Sequence, residues 1–296
     1  MYNMSSVLLV NLGTPDAPTA EAVRRYLAEF LADPRVVELP RWLWLPILHG
    51  IVLRTRPAKS AQKYAAIWTP EGSPLAVHTR RQAELLQQRT GNRVSYAMRY
   101  GNPSLSQAPN ADVVVPLYPQ YSGSATGSVI DALPGKKVVK DFHDHPAYIA
   151  ALAAVVERHW VTHGRGDKLL MSFHGLPQRA VDRGDPYQKQ CLATAELLAR
   201  RLKTDYLVAF QSRFGAAKWL RPYTEPTLIE LARSGVKRVD VVCPGFVSDC
   251  LETLEEIGIG ARHAFVDAGG AQLSLVPCLN EAPEWIDALA EIASAA

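Results

Sequence analysis

Short apolar runs alternate with stretches of helical periodicity along nearly the whole chain, and this alternation constrains the fold more than any other feature. A parallel strand buried on both faces reads as a continuous apolar run. A helix covering such a sheet reads as apolar residues three and four positions apart. Residues 7–12, VLLVNL, are a run of the first kind, broken by Gly13-Thr14-Pro15. Val23, Tyr26, Leu27, Phe30 and Leu31 then share one helical face. Pro18-Thr19 is the expected start of that helix and Asp33-Pro34 its end. Further strands are expected over 94–98, 112–117 and 138–142, and a second set over 169–173, 206–210, 239–243 and 273–277. Helical patterns lie between them, at 187–202 and 222–234 for example. Four strands followed by four more predict an α/β chain of two similar halves, each a parallel sheet covered by helices. The chain's 296 residues also suit two domains better than one. The expected division is 1–145 and 146–282, opened in the second half by a helix over 146–160. A C-terminal helix, 283–296, is expected to pack back on the first domain.

Composition removes several classes of function. A hydrophobic fraction of 48% and a charged fraction of 21% are ordinary for a soluble globular protein. Lys+Arg 32 against Asp+Glu 29 gives +3, too little to imply a nucleic-acid partner without a clustered basic face, and none is visible. Cys191, Cys243, Cys250 and Cys278 form no C-x-x-C pair, so zinc ribbons, thioredoxin motifs and disulfide scaffolds lack support. Sparse, irregular cysteines fit a reducing cytoplasm. The N-terminus lacks the basic region and apolar core of a signal peptide. No apolar run reaches the ~18 residues of a membrane span. Neither G-x-G-x-x-G nor G-x-x-x-x-G-K-[ST] occurs, which counts against dinucleotide and nucleoside-triphosphate enzymes.

Ligands of open α/β sheets bind beyond the carboxyl ends of the strands, so the residues just after each run carry most weight. His174-Gly175 follows the run 169–173. An imidazole there can act as a general base or as a ligand for Fe(II) or Zn(II), or it can be a hydrogen-bonded turn residue. After 239–243 come Asp249, Glu252 and Glu256, spaced as one acidic stripe of a helix capped by Ser248 or Asp249. That stripe can lead a cation inward, or it can be a solvated face. His174 and the acidic row are expected at one sheet edge. Together they are too few for a closed structural metal site and suit transient metal holding or proton transfer. His143-Asp144-His145-Pro146 reads as a helix entry, despite its likeness to a metal motif. Residues 42–53, WLWLPILHGIVL, are nine-twelfths apolar and too short to span a bilayer. They form either a buried connector or an exposed apolar lip; Arg54, Arg56 and Lys59 follow directly.

Taken together, the motifs resemble those of ferrochelatase, the enzyme that inserts Fe(II) into a porphyrin to make haem. The resembling segments are VNLGTP, LRTRPAKSAQKY, EGSPL, MRYGNP, PLYPQYSGSATGS, SFHGLP, RGDPY, FQSRFG and CPGFVSDCLETLEEI, in family order over nearly the whole chain. The resemblance implies two Rossmann-like domains, each with a four-stranded parallel sheet, and a porphyrin cleft between them. It assigns His174 and Glu252 as catalytic and iron-site residues, with Asp249 and Glu256 along an acidic path. Arg54, Tyr64, Ser73, Arg99 and Arg213 match positions near the macrocycle edge and its propionates. Leu12, Trp219 and Phe246 match apolar positions around the ring. The stretch from Trp42 to Leu53 matches a membrane-facing lip, which implies peripheral membrane contact by an otherwise cytoplasmic protein, expected to be a monomer. Relatives that use coproporphyrin III tend to carry Tyr where this chain has Leu12, so Leu12 points to protoporphyrin IX. Fe(II) is expected as substrate and Zn(II) as an accepted substitute; no permanently bound cofactor and no [2Fe–2S] cluster is expected. Cys250 stands where some relatives have histidine. The crossovers 101–111 and 133–137 are shorter than usual for the family. The first should carry at most a single helical turn.

Overall fold

Both predicted sets of strands form parallel sheets in the computed structural model, which describes residues 6–215 and 217–296. The chain divides into two compact units. One takes the described residues up to Leu117, with Ser122–Lys140 and Ala293–Ala296. The other takes Tyr118–Tyr121 and Asp141–Ile292.

In the first unit, β1 (Ser6–Thr14) lies between β2 (Arg93–Gly101) and β3 (Val113–Pro116), all parallel. Leu9 pairs with Tyr96 on one side and Val115 on the other, and it has no exposed surface. This double burial is why the strand reads as an unbroken apolar run. Helix α1 (Ala20–Ala32) starts where Thr19 accepts a hydrogen bond from the Ala22 amide at 3.3 Å and stops at Asp33. Val23, Tyr26, Leu27 and Leu31 form its buried face. Helices α2 (Arg41–Ile47), α3 (Leu53–Ile67), α4 (Pro74–Thr90) and α5 (Ser128–Ala132) complete the unit. The short crossover holds only the 3-10 turn Leu105–Gln107, as its length demands.

The first sheet has three strands and not the expected four. The fourth segment contributes a single bridge, Val138 to Val114. Its end is drawn elsewhere: Phe142 is buried in the second unit, 5.4 Å from Tyr148 and 5.8 Å from Trp285 between ring centres. An aromatic side chain gains more from that cluster than from extending a sheet edge through Lys140 and Asp141.

The second sheet runs β5-β4-β6-β7, from β4 (Lys168–His174), β5 (Leu207–Gln211), β6 (Arg238–Val242) and β7 (Gln272–Leu275). Its helices are α6 (Pro146–His163), α7 (Gln178–Asp182), α8 (Tyr187–Leu202), α9 (Thr224–Arg233), α10 (Arg262–Asp267) and α11 (Pro283–Ala295). A π-helix, Leu251–Ala261, precedes α10. Leu170, Ala209, Val239, Val241 and Leu273 from the strands pack with Leu228, Ile257 and Phe265 from the helices. Burying one such leucine contributes about 2 kcal/mol. The helix entry at His145-Pro146 forms as read: His145 Nδ1 accepts from the Ala147 amide, and Pro146 occupies the first turn.

Helix α11 is shared in the division of the chain, its last residues, from Ala293, grouping with the first unit. It groups with the second unit as far as Ile292, because fully buried Trp285 joins Phe142 and Tyr148 there. The apolar stretch 42–53 is no buried connector. Trp42 is 79% exposed and Ile51 60%, while Leu48 and Leu53 are the buried anchors beneath them. Trp44 ties the segment down by donating from Nε1 to the Leu31 carbonyl at 2.7 Å. No helix among the described residues is long and apolar enough to cross a membrane.

Candidate active site

The last residue of β4 is His174, half-buried at the carboxyl edge of the second sheet. Its Nδ1 lies 2.6 Å from the Gly175 carbonyl oxygen. A carbonyl only accepts, so Nδ1 carries a hydrogen, the tautomer in which Nε2 is the nitrogen with a lone pair to offer. Gly175 is required by its neighbours. A Cβ there would lie 2.7 Å from the Gln211 carbonyl oxygen and 3.1 Å from Trp219 Cε3. The Gly175 amide donates to that same carbonyl at 2.7 Å, and Tyr187 donates its hydroxyl to the His174 carbonyl at 3.0 Å. The Phe246 ring sits 6.4 Å from the imidazole.

Glu252 and Glu256 are carried by the π-helix Leu251–Ala261, a conformation that recurs at functional sites. Its cap is Cys250 and not the expected Ser248 or Asp249. The Thr253 hydroxyl accepts from the Cys250 amide at 3.0 Å, and the Cys250 side chain accepts from the Thr253 amide. Asp249 therefore precedes the helix and does not share its acidic stripe. Its carboxylate is buried and accepts from Thr253 at 2.9 Å, from Asn280 Nδ2 at 2.7 Å and from the Cys278 amide at 3.3 Å. These contacts make Asp249 a structural pin below the helix.

Two residues at the end of β5 organise the glutamates. Gln211 pairs with His174 across the sheet and donates from Nε2 to the Glu252 carbonyl at 2.7 Å. Ser212 donates its amide to Glu256 Oε1 at 2.7 Å and its hydroxyl to Oε2. To do so, Ser212 takes φ +64°, a left-handed conformation that costs a non-glycine residue about 1–3 kcal/mol. Burial pushes the Glu256 carboxyl above its usual range, and the Glu252 charge adds to the rise; Ser212 and His174 act against it. The Glu256 carboxylate thus feels both the Glu252 charge and the His174 imidazole, which makes the three groups electrostatic neighbours. They form an open donor set that can hold a hard or borderline cation briefly and accept protons.

Gln211 and Ser212 carried no role in the sequence reading. Their signal was positional: they follow a predicted strand at the same sheet edge as His174. Of the other expected residues in this unit, Trp219 is buried and donates from Nε1 to the Phe214 carbonyl at 3.0 Å, and Arg213 lies 4.2 Å over the Tyr223 ring. In the first unit, Leu12 is half-buried near the end of β1. Ser73 is buried and accepts from the Thr14 hydroxyl at 2.8 Å. Tyr64 is buried with its ring 6.4 Å from Trp68, and Arg54 is exposed on α3. Arg99, expected near a macrocycle edge, is partly buried. Its guanidinium is engaged internally, with Asp33 Oδ2 at 2.7 Å and the Ser128 hydroxyl at 2.7 Å. Asp141, His143 and Asp144 also bring three ligand atoms within 4.8 Å of one another. There His143 Nδ1 meets Asp141 at 2.7 Å and Nε2 faces Asp144 at 3.9 Å, so the carboxylates already accompany both ring nitrogens.

The family model described as Ferrochelatase matches residues 4–296. A protein named ferrochelatase from Polaromonas sp. is 56% identical over 98% of this chain and 86% of its own length. One of the same name from Azoarcus sp. is 57% identical over 96% and 85%. Among solved structures, CbiX, described as the terminal enzyme for biosynthesis of siroheme in denitrifying bacteria, superposes with a TM-score of 0.54 at 17% identity, covering 98% of this chain and 99% of its own. A multi-domain protein from Deinococcus radiodurans with structural similarity to chelatases gives 0.57 at 14% identity, covering 99% and 55%. The two structural likenesses agree on the fold. The sequence match over essentially the full length, joined to an imidazole and paired carboxylates at one sheet edge, shows that the chain belongs to the ferrochelatase family.

Proposed function

We propose that this enzyme inserts Fe(II) into protoporphyrin IX to form protohaem, with release of two protons. The observation that supports the mechanism is the His174 imidazole, held at Nδ1 by the Gly175 carbonyl, with the Glu252 and Glu256 carboxylates as electrostatic neighbours. A planar porphyrin points its pyrrole N–H groups inward and shields its lone pairs. Insertion therefore needs a bent ring and the loss of two protons. A site complementary to the bent ring lowers the barrier by binding the transition state best. His174 acts as the principal base, its ring oriented by the contact of Nδ1 with the Gly175 carbonyl. Glu252, with Glu256 beside it, holds the metal and hands it to the ring nitrogens as the protons leave. Carboxylate and imidazole donors have no geometry that excludes Zn(II), which binds such ligands more strongly than Fe(II). Zinc insertion in vitro follows.

Protoporphyrin is favoured over coproporphyrin by Leu12, an apolar side chain where coproporphyrin-using relatives tend to carry Tyr. Tyr64, Ser73, Trp219 and Phe246 are proposed to contact the macrocycle, with Arg54 and Arg213 serving its propionates. Exposed Trp42, Leu43 and Ile51 support peripheral contact with a lipid surface on the cytoplasmic side. The proposed protein is a monomer with no permanently bound cofactor.

The test is anaerobic metal insertion followed by absorbance, with Fe(II) or Zn(II) and either protoporphyrin IX or coproporphyrin III. Faster turnover of protoporphyrin is expected. Preference for coproporphyrin would overturn the Leu12 argument and keep the enzyme class. Binding of both porphyrins without turnover of either would replace the enzyme by a porphyrin carrier.

A further inference from the structure

Ser212 stands out because a left-handed backbone at a non-glycine residue persists only where its surroundings hold it there. At this position the conformation aims two donors of one residue at one carboxylate. The amide reaches Glu256 Oε1 and the hydroxyl reaches Oε2. Glu256 Oε1 takes the Ser212 amide and keeps acceptor capacity on its other side, while Oε2 takes the Ser212 hydroxyl. Gln211, one residue earlier, binds the Glu252 carbonyl at 2.7 Å and lies 3.5 Å from Glu256 Oε2. The end of β5 therefore grips the π-helix at both glutamates, four residues apart, while its own backbone is paired to His174. A short polar side chain is needed for the grip. Glycine would adopt the same φ without strain but has no hydroxyl.

We propose that Ser212 is a positioning residue for metal delivery: by clamping both oxygens of Glu256, it fixes that carboxylate in the orientation that receives the incoming divalent cation alongside Glu252. The assignment rests on the proposed use of Glu256 in metal delivery. Residues that orient metal-holding carboxylates typically change metal affinity or activity by roughly 10–100-fold when removed.

The experiment compares Ser212→Gly, Ser212→Ala and Ser212→Thr in the full chain. Zn(II) serves as the metal, and KM for zinc, KM for porphyrin and kcat are measured separately. Ser212→Gly relieves the backbone strain, so it folds at least as well as the parent, which thermal denaturation checks. Both Gly and Ala variants should raise KM for zinc by about tenfold and leave KM for porphyrin unchanged. Thr keeps the hydroxyl but is β-branched and more strained at φ +64°, so it should restore only part of the loss. A calorimetric zinc titration without porphyrin gives a readout independent of turnover, and repeating it in a Glu256→Gln background closes a double-mutant cycle. The clamp predicts that Ser212→Gly weakens zinc in the parent and has no further effect once Glu256 is changed. Unchanged zinc affinity in Ser212→Gly, or an equal loss in both backgrounds, would overturn the proposal. Failure of the parent to insert any metal would instead strike the proposed function, with the titration still reporting on the clamp.

Discussion

Gln211 joins the two halves of the site: its side-chain amide donates to the Glu252 carbonyl at 2.7 Å, while its backbone pairs with His174 in the sheet. Its other end is used as well, with Oε1 accepting from the Ser172 hydroxyl at 2.6 Å. Gln211 is only 4% exposed, and the Ser172 hydroxyl it meets also contacts the Thr224 hydroxyl at 2.7 Å, so a buried polar network runs through it. Gln211→Leu should lower stability by about 1–3 kcal/mol through the buried groups left unpaired, and should lower kcat by loosening the start of the π-helix. Urea denaturation and steady-state assays check both. An unchanged denaturation midpoint would contradict the coupling.

His174→Ala removes the one ring nitrogen available for proton transfer. Turnover should fall by roughly 10²–10⁴-fold, while porphyrin binding, followed by absorbance titration, stays near that of the parent. Parent-like turnover would refute the base assignment.

Glu256 gives stability a definite pH slope. Its folded-state pKa is raised from the usual 4.5, chiefly by burial. The folded protein therefore holds this proton more tightly than the unfolded chain. The resulting stabilisation is fully present below the unfolded value and is lost as pH rises through the folded one. Glu256→Gln should flatten this part of the profile and gain relative stability on the alkaline side. Denaturation midpoints across that range test it; parallel profiles would refute it.

Asp33 should behave in the opposite sense. Its Oδ2 accepts from Arg99 at 2.7 Å, Tyr100 at 2.8 Å and Ser128 at 2.6 Å. Burial raises its pKa, but the hydrogen bonds from Ser128, Arg35 and Tyr100, with the Arg99 charge, outweigh that and hold it below the usual 3.8. This stabilisation is present above the unfolded value and disappears as pH falls through the folded one. Asp33→Ala should cost about 2–3 kcal/mol at neutral pH, because it leaves Arg99 without its carboxylate. The loss should shrink in acid.

The exposed lip gives a prediction outside the site. Trp42→Ser combined with Ile51→Ser should reduce co-sedimentation with lipid vesicles and leave insertion into a soluble porphyrin unaffected. Equal co-sedimentation of parent and variant would count against membrane contact.

The strands, most helices and the position of His174 are legible in the residues alone. These are local properties: strands such as β1 and β4, buried on both faces, must be apolar throughout, and α1 must show its buried stripe at Val23, Tyr26, Leu27 and Leu31. Helix α8 spans the very residues, Tyr187–Leu202, that its periodicity marks. The family resemblance added Glu252 and Glu256, which spacing alone left open between a cation path and a solvated face. Contacts between distant residues settle the rest. The segment ending at Phe142 has the pattern of a strand, yet its aromatic ring goes to Tyr148 and Trp285, so the first sheet stops at three strands. Asp249 shares the spacing of the acidic row, but Asn280, some thirty residues later in the chain, takes its carboxylate. Arg99 carries a family motif and is bound by Asp33. In each case periodicity records which faces are buried, while the partner of a polar group is chosen by residues far away in the chain that only folding brings within hydrogen-bonding distance.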